Sequence, residues 1–355
     1  MKLFNELNHN KLFLFGLLLK VLAITILAPE IQNKWFLNFI AFTIQNFSLS
    51  PWSEFLKSGG DPLSYPYGPV MLILQFPLSF VGSLIDNLNF ASNAKNYFLS
   101  LGFKSSILIA DISILLLLIT LIKEKISKII FFYWLSPIVI YISYWHGQLD
   151  IFPTLILLLS LFFLKRKSYY ISASMLGLSI ACKISMLIAA PFICLYLFLN
   201  KRYYKIFWSY ISILFITILL FQGLPFIDNG IRLMILNNPS INNVFTLSIP
   251  IAQNFSLHIV PVVYFILIML TFRIGRMNFD LLYSFLGTCF FIFLVFTPAE
   301  IGWYLWVVPF LVYFQIKTDS NFFKYGIFMY SLFFVFNKIM IDEGSSIHFF
   351  NMDIY

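Results

Sequence analysis

Charged residues and cysteines are both scarce in this sequence. Only 11% of the 355 residues are Asp, Glu, Lys or Arg and 60% are hydrophobic, whereas a soluble globular protein carries about 25% charged residues. A chain this apolar cannot cover its surface with polar groups in water. The composition therefore argues against a soluble protein and predicts lipid as the solvent. The three cysteines, Cys182, Cys194 and Cys289, lie in apolar runs without a CxxC pair, which argues against a disulfide framework or a zinc site.

Several functional motifs are missing as well. The sequence contains no GxSxG hydrolase motif, no Gly-rich phosphate loop and no nucleic-acid-binding module. Its apolar runs are continuous and do not alternate with polar residues, which predicts spanning helices rather than strands. Because a span needs about 20 apolar residues, the sequence predicts an all-α, polytopic transmembrane bundle of about 11–13 spans. We expect residues 1–355 to form one transmembrane domain without a separate soluble domain.

The basic residues give the predicted topology. Lys and Arg accumulate in cytoplasmic loops, which explains most of the net charge of +8; a partner with phosphate groups is the alternative explanation. The stretches 30–68 and 224–255 then become outer loops, and the mixture of apolar and polar residues in the first predicts helices in the interface plane. The five basic clusters are Lys123/Lys125/Lys128, Lys165/Arg166/Lys167, Lys201/Arg202/Lys205, Arg273/Arg276 and Lys317/Lys324.

The predicted topology leaves the number of spans open at the start of the chain, and it includes one unusually short hairpin. Apolar runs at 12–29, 69–85 and 103–122 would leave Lys123 outside, so either 69–85 is re-entrant, giving about 11 spans, or a weak span lies at 88–101, giving about 13. Between the next clusters, 168–200 allows two helices of about 15 residues, which reach roughly 22 Å. This is less than the membrane thickness, so we expect Lys183, at the tip, to lie in a depression or cavity.

The ionisable residues collect on the predicted outer face. Because such groups are costly near lipid, each is a functional candidate. Glu30, at the start of the first outer loop, is the candidate general base, and Asp61, in a Gly-Gly-Asp-Pro turn, is its alternative. Lys183 and Arg232 are candidates for binding a phosphate. Asp111, inside an apolar run, is interpreted as a structural partner of a neighbouring helix.

Further candidates lie at two hairpin tips. His146, Gln148 and Asp150 form a polar tip between two apolar runs and predict ligand contact, although Asp150 can alternatively cap the following helix. The other tip carries Glu300 and the aromatic run Trp303, Tyr304 and Trp306, which is typical either of sugar stacking or of the interfacial aromatic belt.

Five segments, taken in order, resemble the GT-C superfamily of integral-membrane glycosyltransferases. Glu30 holds the place of the acidic catalytic residue near the start of the first outer loop, although that residue is usually Asp in the family. The other segments are Asp61-Pro-Leu-Ser-Tyr-Pro-Tyr-Gly-Pro69, Trp145-His-Gly-Gln-Leu-Asp150, Gly177-Leu-Ser-Ile-Ala-Cys-Lys183 with Pro191 beyond it, and Thr297-Pro-Ala-Glu-Ile-Gly-Trp-Tyr-Leu-Trp-Val-Val-Pro309.

The resemblance implies a fold, a reaction and a location. It implies a GT-C-like bundle and transfer of a hexose, with mannose favoured, from a polyprenyl-phosphate sugar to a glycan or lipid-linked acceptor with inversion at the anomeric carbon. Catalytic roles would fall to Glu30 or Asp61. The donor, the acceptor and membrane lipid are the implied partners, without nucleic acid, cofactor or divalent metal. The favoured location is the bacterial cytoplasmic membrane, as a multi-pass protein with its active site on the periplasmic or extracellular side. The substrate-binding set would be His146, Gln148, Asp150, Lys183, Arg232, Glu300, Trp303 and Tyr304.

Two other functions remain as alternatives. A transporter or lipid flippase for a polyprenyl-linked or other anionic substrate predicts internal repeats and polar groups spread through the membrane, whereas here the polar groups collect on one side. A polysaccharide polymerase is expected to carry several arginines in a long outer loop, and the loop 224–255 contains only Arg232.

Overall fold

Apolar helices separated by short turns make up most of the architecture. The computed structural model describes residues 6–88, 96–124, 126–223, 228–253, 255–318, 325–340 and 347–349. The α-helices of the first half are α1 (Lys11–Ile26), α2 (Leu37–Gln45), α3 (Pro51–Lys57), α4 (Pro69–Asp86), α5 (Tyr97–Ile122), α6 (Ile126–Ile129), α7 (Pro137–Ile140) and α8 (Ile151–Lys165). Those of the second half are α9 (Tyr169–Cys182), α10 (Ala190–Phe198), α11 (Tyr204–Gln222), α12 (Asn229–Ile231), α13 (Ile259–Ile274), α14 (Phe279–Phe296), α15 (Tyr304–Lys317) and α16 (Gly326–Met340).

Tighter and wider helical turns join onto several of these helices. The π-helical segments are Gln32–Phe36, Ile130–Trp134, Tyr141–His146 and Arg232–Leu236, and the 3₁₀ segments are Ile184–Ala189, Pro239–Phe245 and Ile301–Trp303. Pro137 begins α7 immediately after a break, because proline lacks the N–H that would continue the preceding helix.

Within the described part of the chain, four helices are long and apolar enough to cross a membrane, namely α4, α5, α11 and α14. A fifth is added if Ile126–Trp134 and Pro137–His146, bent by 47° at their break, count as one span. The protein is therefore a helical, multi-pass membrane protein, as the sequence predicts. The remaining apolar helices have 10–17 residues, so the number of about 11–13 spans stays a prediction.

The hairpin of α4 and α5 depends on two glycines. A Cβ on Gly82 would lie 2.0 Å from the carbonyl oxygen of Phe98, and one on Gly102 would lie 2.1 Å from that of Leu78. The Asp86 carboxylate accepts hydrogen bonds from the backbone N–H groups of Phe98 and Leu99, at 3.0 and 2.8 Å, and so caps the start of α5. A separate span at 88–101 is therefore wrong where it can be examined, because residues 97–101 belong to α5. Residues 89–95 lie outside the described residues.

The direction of α5 bears on the topology. Asp111 pairs with Lys20 in the middle of α1, and the Lys104 ammonium donates to the Leu27 carbonyl at the end of α1, at 2.8 Å. The two helices therefore run antiparallel, and Lys123 lies at the same end of the molecule as the start of α1. This arrangement agrees with the charge rule and favours the re-entrant alternative for the run at 69–85.

We predict that replacing Gly82 by alanine destabilises the α4–α5 hairpin. The added side chain meets a backbone carbonyl that cannot rotate away, so the helices must separate at a cost of about 1–3 kcal/mol. The measurement is thermal unfolding of the purified protein in detergent. Gly326→Ala is the matched control, since its Cβ meets nothing closer than 3.4 Å; equal stability of the two variants would contradict this account.

The predicted outer loop 30–68 contains helices, as its pattern predicts, and these are α2 and α3. Phe39 of α2 is fully buried and stacks on Tyr65 with ring centroids 4.5 Å apart. Trp52 and Phe55 of α3 contact the same Phe39 ring. The two helices thus pack against the rest of the protein through aromatic side chains. A helix that only lies in the membrane interface does not need such contacts.

Two small antiparallel sheets modify the all-α prediction. Strand β1 (Leu27–Pro29), which directly follows α1, pairs with β4 (Ile347–Phe349) near the end of the chain. Strands β2 (Ser248–Ala252) and β3 (Phe255–His258) form an exposed hairpin. The predicted loop 224–255 therefore contains α12, the π-helical segment Arg232–Leu236, the 3₁₀ segment Pro239–Phe245 and most of this hairpin. Its residues 224–227 and 254 lie outside the described residues.

A buried ion pair links α1 to α5. The Lys20 Nζ and Asp111 Oδ2 atoms are 2.5 Å apart, and both side chains are completely buried. The Tyr144 hydroxyl donates to the same carboxylate oxygen at 2.7 Å, and Lys20 Nζ lies 3.5 Å from the centre of the Trp134 ring. The interpretation of Asp111 as a structural partner is confirmed, and its counterpart Lys20 was not among the predicted residues.

Candidate functional site

One cavity of about 550 Å³ lies where several of the predicted residues converge. Its walls are mainly apolar and come from the 3₁₀ segment before α10, from α13 and from α14. The polar or aromatic side chains that line it are Tyr67, Lys183, Ser185, Asn238, Ser240, Tyr264, Glu300, Trp303 and Trp306. A cavity with apolar walls and a few convergent polar groups is the usual form of a small-molecule site.

Lys183 lies on the cavity wall at a break between helices. Its backbone is extended, with φ −147° and ψ 120°, and the preceding Cys182 carbonyl accepts a hydrogen bond from the Gly68 N–H at 3.3 Å. The side chain is only 12% exposed. The prediction that this short hairpin places Lys183 in a cavity is confirmed.

Asp150 is the partner of Lys183. Its Oδ1 atom accepts from Lys183 Nζ at 2.8 Å and from Trp306 Nε1 at 2.7 Å, and the carboxylate is completely buried. The anion that Lys183 contacts is thus supplied by the chain itself. Asp150 makes no side-chain cap to α8, so the alternative that it caps this helix is wrong.

The second oxygen of Asp150 faces a glycine. A Cβ on Gly302 would lie 2.0 Å from Asp150 Oδ2, so only glycine allows the 3₁₀ turn at 301–303 to pass this close. Among the described residues, Oδ2 has no hydrogen-bond partner. The turn that carries Glu300 and Trp303 is in this way packed directly against the Lys183–Asp150 pair.

The polar tip at 146–148 is joined to the first outer loop. Gly147 has a φ of +85°, and its carbonyl accepts from the Gln32 side chain at 3.0 Å. Gln148 Oε1 accepts from the Tyr67 hydroxyl at 3.3 Å. Burial, followed by the charges of Asp150 and Glu300, raises the pKa of Tyr67 above its ordinary value, so this phenol stays protonated and acts as the donor.

Glu300 lies on the cavity wall beside two polar side chains of another loop. The Ser240 hydroxyl is in hydrogen-bond contact with a Glu300 carboxylate oxygen, and it lies 2.6 Å from Asn238 Oδ1. Next to Glu300, Trp303 stacks on Trp306 with ring centroids 5.1 Å apart. A carboxylate, a paired cation and a pair of stacked indoles thus line one cavity.

Several predicted residues lie away from this cavity lining. Glu30, whose side chain is 28% exposed, forms an ion pair with the exposed Lys34, with 2.8 Å between the charged atoms. Asp61 is exposed and accepts from the Leu63 N–H at 2.8 Å, as in an ordinary turn. Arg232 is exposed as well.

His146 and Tyr304 are likewise outside the lining. The His146 ring lies 6.3 Å from the Tyr141 ring, and the Tyr304 ring lies 4.9 Å from the Phe334 ring of α16. Tyr304 is therefore a packing residue between α15 and α16.

Sequence reasoning missed five polar side chains of the cavity lining, namely Tyr67, Ser185, Asn238, Ser240 and Tyr264. Tyr67 belongs to the turn-rich stretch before α4, and the aromatic-proline pattern there was its available signal. Asn238 is the N-cap of the 3₁₀ segment Pro239–Phe245, in which Ser240 lies. The Asn-Pro pair was the available signal, because Asn at the N-cap and Pro at the first helical position mark a helix start. In the described ranges, no three His, Cys, Asp or Glu side chains converge as a metal site would require.

No protein-family model matches this chain, and no curated protein matches it significantly. The site must therefore be interpreted from its own chemistry.

Proposed function

We propose that the protein is a membrane glycosyltransferase that uses a polyprenyl-phosphate sugar. It transfers a hexose, with mannose favoured, to a glycan or lipid-linked acceptor on the non-cytoplasmic face. The reaction inverts the anomeric carbon, since the acceptor hydroxyl attacks from the side opposite to the departing phosphate.

The single observation that carries the proposal is the shared cavity of Lys183 and Glu300. An amphiphile with a phosphate head needs apolar walls together with a cation, and an acceptor hydroxyl needs a nearby carboxylate. Both requirements meet in this cavity. The stacked indoles of Trp303 and Trp306 add a flat surface for a sugar ring.

Lys183 has the role of stabilising the phosphate as it leaves. Its ammonium is held by Asp150 and flanked by the rings of Tyr67 and Trp306, at 5.5 and 5.3 Å. A cation fixed in a water-poor cavity stabilises developing negative charge without having to reorganise. The sequence-based candidates for the base are Glu30 and Asp61.

The test is a transfer assay with purified protein in detergent. Given a polyprenyl-phosphate mannose and octyl mannoside as acceptor, the protein is expected to release polyprenyl phosphate and to form a disaccharide glycoside. Glu54→Gln, which alters an exposed carboxylate of α3, serves as the matched control for carboxylate substitutions. Absence of product with every acceptor tried, from folded protein, would exclude the proposal.

The transport alternative has its own assay. Proteoliposomes that contain the protein and a fluorescent polyprenyl phosphate would show accelerated movement between leaflets if the protein were a flippase. For a glycosyltransferase we expect no acceleration over protein-free vesicles.

A further inference from the structure

The hydrogens around Ser240 do not balance while Glu300 is ionised. The Ser240 hydroxyl has one hydrogen but contacts two acceptors, Asn238 Oδ1 at 2.6 Å and a Glu300 carboxylate oxygen. The Asn238 oxygen is fixed as an acceptor, because the backbone N–H of Ser240 also donates to it, at 2.9 Å. With Glu300 ionised, one of the two hydroxyl contacts therefore has no hydrogen.

One additional proton completes this chain of hydrogen bonds. If the Glu300 carboxyl carries a hydrogen, it donates to Ser240 Oγ, and the Ser240 hydroxyl donates to Asn238. Every contact then has one donor and one acceptor. The three side chains thus form a chain of hydrogen bonds that has a place for one added hydrogen on Glu300.

The location of this arrangement suits a reacting group. Asn238, Ser240 and Glu300 all line the cavity that contains Lys183. Glu300 begins the turn whose Gly302 packs against Asp150, so its backbone position is fixed relative to the Lys183–Asp150 pair. Glu30 and Asp61 do not line this cavity; Glu30 pairs with Lys34, and Asp61 accepts from the Leu63 N–H.

We infer that Glu300 is the catalytic base of the transfer reaction and that Ser240 and Asn238 are its positioning residues. This inference rests on the proposed function. The acceptor oxygen forms a bond to the anomeric carbon as the bond from that carbon to the phosphate oxygen breaks. The hydroxyl proton moves to Glu300, and polyprenyl phosphate leaves with the bonding electrons.

The experiment uses azide, a nucleophile that has no proton to lose. Glu300→Gln is expected to reduce transfer to octyl mannoside by about 10²–10⁴-fold, the usual contribution of a general base. With sodium azide present, the same variant is expected to release polyprenyl phosphate and to form a mannosyl azide of inverted configuration. Glu300→Ala, which also leaves room for the anion, is the second variant.

The outcomes separate the two levels of the proposal. Hydroxyl transfer by Glu300→Gln within about threefold of the wild type would assign the base elsewhere, and the same assay on Glu30→Gln and Asp61→Asn would identify it. Loss of both hydroxyl and azide transfer in Glu300 variants that remain folded would make Glu300 structural only. A wild-type protein that transfers to neither nucleophile would overturn the proposed function itself.

The positioning role of Ser240 has a separate readout. Ser240→Ala is expected to lower kcat for hydroxyl transfer by about tenfold, to leave the KM for the donor unchanged and to leave azide transfer by Glu300→Ala unaffected when the two changes are combined. Ser240→Thr, which keeps the hydroxyl, is expected to restore kcat. A rise in donor KM, or no recovery in Ser240→Thr, would contradict a positioning role.

Discussion

Replacing Lys183 by methionine is expected to eliminate measurable sugar transfer and to destabilise the protein. Under the proposed function, the substitution removes the cation that stabilises the departing phosphate, and the loss of one such group costs about 10²–10³-fold in rate. It also leaves the completely buried Asp150 carboxylate without its counter-charge, which costs about 3–5 kcal/mol. The measurements are polyprenyl phosphate release and thermal unfolding in detergent.

The double variant Lys183→Met/Asp150→Asn separates these two effects. Neutralising both partners removes the uncompensated charge, so stability is expected to recover while activity stays lost. Trp306 still finds an acceptor in the asparagine oxygen, because the Trp306 indole N–H donates to Asp150 in the parent protein. Recovery of activity together with stability would mean that Lys183 acts only as a structural partner of Asp150.

Lys20→Met is expected to be the most destabilising substitution away from the cavity. Asp111 would remain completely buried with only the Tyr144 hydroxyl as a donor to its Oδ2 atom. Removing one member of a buried ion pair costs about 3–5 kcal/mol, since the other charge is left without compensation. The measurement is again thermal unfolding in detergent, with transfer activity of the remaining folded fraction as a second readout.

Two further variants test that explanation. Lys20→Met/Asp111→Leu removes both charges and is expected to regain most of the lost stability, because apolar replacement of a buried pair is often neutral or better. Lys128→Met, at an exposed position, is the control and is expected to resemble the wild type. If Lys20→Met also resembled the wild type, the pair would contribute nothing to the link between α1 and α5.

The sequence predicts the helices and the cavity better than it predicts the chemistry inside the cavity. The basic clusters on either side of 168–200 show that this stretch is too short for two full spans. The sequence alone therefore predicts that Lys183 lies in a cavity. The partner of Lys183 could not be deduced in the same way, because Asp150 is 33 residues away and a cap was the simpler local explanation.

The same distinction applies to the acids. The segments around Glu30 and Asp61 predict that one of them is the catalytic base, but a position along the chain does not fix where a carboxylate points. The Asn238-Pro239 pair marks a helix start, but only the tertiary contact between Ser240 and Glu300 connects these residues with the site. Local sequence patterns therefore predict the helices, whereas the contacts between polar side chains can be identified only in the folded structure.

The Lys20–Asp111 pair also has a consequence for biogenesis. Its members are 91 residues apart, so α1 leaves the ribosome with a lysine at its centre well before the matching aspartate is made. An isolated lysine at mid-membrane is costly to insert. Pairing with Asp111 lowers the cost of placing Lys20 in lipid, and this compensation becomes available to α1 only after α5 has been made.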